Sequence, residues 1–361
     1  MSIESSHCRV SINENCFDII RLICTFTVFL GHFLNHFSVN NDFLHSLAFF
    51  VRGVPVFFFL SGLFIARSLE KYQIGEYLKR RAVRIFPELW VCVLFNLLLI
   101  LVSFKPTLKD IIVYIGTQMT VFQFYTGDWL RGYGVGVPNG ALWTITVDIQ
   151  FYIAAIFLAK WMKMRTARTW RTVIIVAMTI DLLLEKGKNL FPEIVYKLLQ
   201  CNLLPFVWIF LVGMYVYYNR DRVIPILVKY KWGFTVAYLI WQYFVPGSAV
   251  KLFGGIRYNL ITTLLMLLVI SGIGFSFPKR LKQDYSYSFY LYHMVVINVF
   301  YNNVCREFSS VRQFVISLMM SVMMTGLMAM LSHRFIAGSL TRKIEESLLY
   351  KCKGDAECKE K

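Results

Sequence analysis

The residues able to do chemistry in this chain stand inside apolar stretches, where ionisable groups are costly and therefore suspect. The stretch FDIIRLICTFTVFLGHF (17–33) holds Asp18, Arg21 and His32. Arg21 and His32 are eleven positions apart. On a helix that is three turns plus about 20°, so they share a face and stand ~16 Å apart along the axis. An imidazole so placed can take a proton from a hydroxyl or carry an acyl group, and a guanidinium beside the membrane surface can hold an anion. A snorkelling Arg21 and a hydrogen-bonded structural His32 fit the same spacing. His36 follows His32 at i+4, then Asp42 and His45. That is a possible zinc spacing, but no HExxH accompanies it, so no metal is expected.

Four further segments add candidates. RGVPVFFFLSGLFIARSL (52–69) breaks an apolar run with Pro55 and Ser61–Gly62, which permits a kink or a close helix approach; Ser61 is a nucleophile only with a base beside it. YLKRRAVRIFPELW (77–90) gathers Arg80, Arg81 and Arg84, whose guanidinium forks suit either phosphate groups or lipid headgroups. ALWTITVDIQFYIA (141–154) places Asp148 inside an apolar run with Trp143, Gln150 and Tyr152, and that carboxylate needs a His, Arg or hydroxyl partner. DYSYSFYLYHMVV (284–296) is rich in polar groups, among them Ser286, Ser288, Tyr292 and His293, and His293 reads as either a satisfied structural imidazole or a catalytic one.

The elements that must position these residues follow from composition. Of 361 residues, 57% are apolar and 16% charged, whereas globular chains run near 45–50% and about 25%. A bilayer is therefore the solvent, and the expected class is an all-α polytopic membrane protein. Disorder, a secreted disulfide scaffold and a nucleic-acid-binding module are excluded. Ten apolar stretches approach the ~20 residues that a span needs: 17–37, 46–66, 86–103, 141–160, 172–184, 201–218, 232–246, 259–277, 285–303 and 313–335. The apolar but interrupted 110–126 reads as a re-entrant or interfacial piece. With the N-terminus inside, 26 of the 38 Lys and Arg fall on inner segments and 10 on outer loops, Arg21 and Arg52 lying within spans. Both termini are thus expected in the cytoplasm. No cleavable signal is expected. The eight cysteines contain no CxxC; Cys352 and Cys358 in the charged tail (336–361) are too few to hold a metal. One membrane domain, 1–335, is the expected organisation.

Together the segments resemble the acyltransferase-3 family of integral membrane O-acyltransferases. Arg21 and His32 fit its Arg-x10-His spacing, VPVFFFLSGLFI (54–65) its FF-x-x-SG segment, and RRAVRIFPELW (80–90) its RR-x-x-RI-x-P motif. ALWTITVDIQFY (141–152) resembles W-S-L-x-x-E-x-x-F-Y, and YSYSFYLYH (285–293) resembles S-Y-S-x-Y-L-x-H. Five motifs in family order cover about 270 residues. Asp148 stands where relatives carry Glu, and Ala337 where relatives often carry Glu before Lys-Pro. No SGNH-type domain is expected, as in the shorter O-antigen acetyltransferases. The resemblance implies acetyl transfer from cytoplasmic acetyl-CoA to a hydroxyl of a surface carbohydrate, such as a lipid-linked O-antigen unit, at a bacterial inner membrane. It implies His32 as base or acyl carrier, Asp148 as its support, and Arg21, Arg80, Arg81 and Arg84 as donor-phosphate ligands. Expected partners are acetyl-CoA, lipid-linked or surface polysaccharide and membrane lipids, with no tightly bound cofactor and no nucleic acid. The alternative from another class is a transporter or relay that moves acyl groups or a glycolipid without completing the chemistry.

Overall fold

In the computed structural model, residues 15–245, 249–252 and 255–339 are described; Arg9, Cys352, Cys358 and the tail from 340 onward lie outside them. The chain is an all-α polytopic membrane protein. Its helices are α1 Phe17–His36, α2 Asp42–Phe50, α3 Gly53–Lys71, α4 Ile74–Ser103, α5 Leu108–Gln118, α6 Trp143–Met162 and α7 Ala167–Lys186. They continue as α8 Glu193–Gln200, α9 Val207–Tyr218, α10 Arg220–Lys229, α11 Lys231–Phe244, α12 Leu260–Gly274, α13 Ser286–Asn303 and α14 Val311–Ser332. Between α11 and α12 a two-stranded antiparallel hairpin pairs Ala249–Leu252 with Gly255–Tyr258. Hydroxyl and amide side chains start several helices by accepting a backbone N–H: Asn41 at α2, Thr107 at α5, Thr166 at α7, Asn259 at α12 and Ser310 at α14.

The side-chain distribution is that of a protein dissolved in lipid. Ile23, Phe26, Leu98, Val102, Phe157 and Met323 are exposed, while Glu88, His293, Asn298, Ser288 and Thr325 are buried. Polar groups inside and apolar groups outside is the arrangement hydrocarbon requires. The ten expected stretches are largely helical, but among the described residues five spans (α1, α2 with α3, α4, α6, and α14 with the turn after it) are long and apolar enough to cross a membrane, or seven if α8–α9 and α10–α11, bent by 51° and 64°, each cross as one span. The difference has a local cause. At 15 residues α12 is short, α7 carries Arg168, Arg171, Asp181, Glu185 and Lys186, and α13 spends its apolar length on Ser, Tyr, His and Asn.

The residues group into two compact units. Among the described residues, one comprises those of 15–31, 40–72 and 144–284, and the other those of 32–39, 73–143 and 285–339. In the first, α3 and α9 cross at glycines, as the Ser61–Gly62 break suggested. A Cβ on Gly213 would meet the Phe59 carbonyl at 2.1 Å, and one on Gly62 the Phe210 carbonyl at 2.1 Å. Backbone cannot yield as a side chain can, so the helices must separate. Gly213→Ala is expected to destabilise the protein by ~1–3 kcal/mol, read as a lower thermal midpoint in detergent; an unchanged midpoint would contradict the tight crossing.

Candidate active site

In the second unit, α4 and α13 run side by side in the same direction. The Tyr287 hydroxyl donates to the Ile85 carbonyl (3.0 Å), Ser288 Oγ to Glu88 Oε1 (2.9 Å), and the Cys92 thiol to the Leu291 carbonyl (3.3 Å). Pro87, inside α4, has no N–H to give the Val83 carbonyl one turn earlier. The Glu88 carboxylate also accepts from Ser332 Oγ of α14 at 3.1 Å. A buried carboxylate with two hydroxyl donors thus ties three helices together, and Ser288 belongs to this tie.

The arginines occupy the early end of α4. Arg80 is engaged by Glu76, with Nε 2.9 Å and a terminal nitrogen 2.9 Å from the same carboxylate oxygen. Arg81 lies over the Tyr77 ring, 5.7 Å from its centroid, and Arg84 is exposed one turn before Glu88. Eight residues further along α4, ~12 Å at helical rise, comes the level of Cys92 and Leu291.

At that level stands His293, fully buried. Its Nδ1 is 2.6 Å from the Tyr290 carbonyl. A carbonyl only accepts, so Nδ1 carries the proton and Nε2 presents its lone pair in the neutral ring. Nε2 is buried and has no hydrogen-bond partner among the described residues. The His32 ring lies 5.4 Å from the His293 ring, and His36 stacks on His32 at 5.7 Å. The contact between His32 and His293 joins two motifs more than 250 positions apart. Among the described residues no group of three or more His, Cys, Asp or Glu is arranged to hold a metal ion. The arrangement provides an oriented base, with a second imidazole against it.

Past this level, the segment after α5 folds back on α13. Asn139 Nδ2 donates to the Leu291 carbonyl (2.8 Å), and the Tyr290 hydroxyl donates to the Ala141 carbonyl (2.9 Å). Asn298 Oδ1 accepts from the Val135 N–H (3.0 Å), and its Nδ2 donates to the Val137 and Pro138 carbonyls (3.0 Å each). Asn302 Oδ1 accepts from the Gly134 N–H at 3.0 Å, and Asn96 Nδ2 donates to the Pro138 carbonyl at 2.9 Å. Glu88, Asn96, Asn139 and Asn298 were not anticipated from motifs. Their one sequence signal is a lone polar residue in or beside an apolar run.

The remaining candidates, Trp143 apart, belong to the first unit. Asp148 Oδ1 accepts from Ser61 Oγ at 3.0 Å, so a hydroxyl is the partner that carboxylate finds there. Ser61 is held by a carboxylate, a weaker base than imidazole. Gln150 clamps the bend between α8 and α9, donating to the Cys201 carbonyl (3.0 Å) and accepting from the Leu203 N–H (2.9 Å). Tyr152 is half-buried on the same helix, and Trp143, half-buried, opens that helix in the second unit. Arg21 lies 3.4 Å from both Asp18 and Asp284 and over the Phe64 ring at 4.8 Å, and Arg280 pairs with Asp18 at 3.4 Å. Its charge is thus balanced by carboxylates within its own unit.

The sequence matches the family model for an acyltransferase domain, acyltransferase-3, over residues 14–332. It is 26% identical over 309 residues to nodulation protein 10 of Rhizobium leguminosarum bv. viciae, covering 79% of this chain and 83% of that protein. No solved structure matches the chain.

Proposed function

The chain belongs to the acyltransferase-3 family, and from that premise we propose that it moves an acetyl group from cytoplasmic acetyl-CoA to a hydroxyl of a surface carbohydrate, most simply a lipid-linked O-antigen unit at a bacterial inner membrane. The observation that carries this reading is the imidazole pair. His293 is held in one tautomer with an unused Nε2 lone pair, and His32 lies in ring contact with it.

The reaction follows from that chemistry. An imidazole nitrogen takes the proton of the sugar hydroxyl as its oxygen attacks the thioester carbonyl. The new C–O bond forms, the C–S bond breaks, and the leaving thiolate takes the proton from the imidazolium. In the stepwise variant the imidazole attacks the thioester first and expels the CoA thiolate; the sugar oxygen then displaces the imidazole from the acyl group, and the hydroxyl proton goes to the thiolate, which leaves as the CoA thiol. The neighbouring imidazole lets the proton be shared instead of stranded in a buried site. Asp148, bonded to Ser61, is proposed as a catalytic carboxylate.

The arginine end of α4 is the proposed donor side. A CoA molecule carries several phosphates, and Arg84 is exposed where such groups would arrive; Arg81 and Arg80 stand one turn earlier. Arg21, in the other unit, is proposed separately as an anion ligand that exchanges a carboxylate for a phosphate. The ~12 Å from Arg84 to the Cys92 level is then the length the thioester arm spans. Arg84→Ala is expected to weaken CoA binding ~10–100-fold, as loss of a charge-assisted contact does, and Arg84→Lys to restore part of it. Calorimetric titration of the purified protein with CoA reads both; wild-type affinity in both variants would leave the arginines as topological charges. Compositional analysis of surface polysaccharide from cells with and without the gene tests the function, with O-acetyl present in one and absent in the other. Identical O-acetyl content would reject it.

A further inference from the structure

The segment between α5 and α6 is built too specifically to be a simple connection. Gly134 and Gly136 have φ of +55° and +86°, and a Cβ on Gly134 would lie 2.1 Å from Asn298 Oδ1. Only glycine tolerates both demands. Asn298 is fully buried, with its carbonyl oxygen and amide nitrogen occupied by this segment's backbone. Tyr290, Met294, Asn298 and Asn302 follow at i, i+4, i+8 and i+12, one face of α13. Each meets the segment: Tyr290 at Ala141, Met294 at Gly140, Asn298 at Val135–Pro138 and Asn302 at Gly134. His293 lies about 100° round the helix from Met294, and there it meets His32. The segment therefore borders the imidazole pair along α13.

Its position along α4 decides which substrate it meets. Pro138 is bonded to Asn96, twelve residues or ~18 Å beyond Arg84, at the opposite end of the helix from the arginines. Gly134 and Gly136, which carry no side chain, and the half-buried Val135 and Val137 leave a low surface of glycine backbone and small apolar side chains, held from behind by Asn298 and Asn302. Such a surface can meet a ligand rich in hydroxyls at close range. We propose that Gly134–Val137 is the wall the acceptor carbohydrate meets, and that Asn298 and Asn302 are positioning residues that set acceptor selectivity through its backbone. The proposal rests on the acetyl-transfer reading, in which the arginine end takes the donor.

The test uses the full-length protein in detergent, acetyl-CoA, and two methyl glycosides that differ in the configuration of one hydroxyl. Asn298→Asp keeps the size and the accepting oxygen but loses both donated bonds; Asn302→Ala removes one bond from a half-buried site and reads the same effect if the first variant does not fold. Either substitution is expected to raise the acceptor KM, or to shift the kcat/KM ratio between the glycosides, about tenfold, the scale of one or two lost hydrogen bonds. The KM for acetyl-CoA stays within about twofold. A merely structural tie would move donor and acceptor constants together, and that result, or unmoved acceptor constants, overturns the proposal. Wild-type protein that releases CoA but acylates neither glycoside, nor a lipid-linked glycan supplied in their place, overturns the function on which it rests.

Discussion

Replacing His32 by alanine is expected to lower acyl transfer ~10²–10⁴-fold, the usual cost of losing a general base or acyl carrier, with no change in protein yield or detergent behaviour. The ring is half-buried at the late end of α1 and touches two other imidazoles, so its removal opens little core. The assay is O-acetyl content of surface glycan together with CoA release by purified protein. Transfer above about a tenth of wild type would make His32 a packing residue.

His293 permits a sharper substitution, because its two nitrogens have separate duties. An asparagine amide overlays the Nδ1–H and can still donate to the Tyr290 carbonyl, while nothing replaces Nε2. His293→Asn is therefore expected to retain the thermal midpoint within a few degrees yet lose acyl transfer ~10²-fold or more. A structural histidine would show the converse. Active His293→Asn protein would assign the ring to packing, and a collapsed midpoint with proportional loss of activity would do the same. The two histidines act on one proton, so the double variant should be scarcely worse than either single one.

Residue spacing along single helices was open to reading, and pairing between helices was not. Arg21 and His32 follow from helical period, and the arginine cluster from its charge. The orientation of His293 could not be read from YSYSFYLYH, because it depends on which nitrogen meets a backbone carbonyl and which has no hydrogen-bond partner among the described residues. Ser61 and Asp148 were each noted, but their bond joins positions 87 apart and has no sequence signal. Glu88 sat inside a quoted motif without a role until two serines from other helices reached it. Asn298 is a single amide in an apolar run; its three partners are backbone groups, which leave no trace in side-chain type. The apolar stretches predicted helices correctly. Apolar content overestimated how many were long and apolar enough to cross alone, since α13 is occupied by polar side chains that face inward.

The central claim is that this chain completes acyl transfer itself instead of passing acyl groups to another protein. Purified protein in liposomes, given acetyl-CoA labelled in the acetyl group and a lipid-linked glycan, tests it without other components. The account predicts label in an alkali-labile ester on the glycan, CoA thiol released in equal amount, and neither product with His32→Ala. Label crossing the bilayer or resting on the protein, with none on the glycan, would contradict it and favour a transporter or relay.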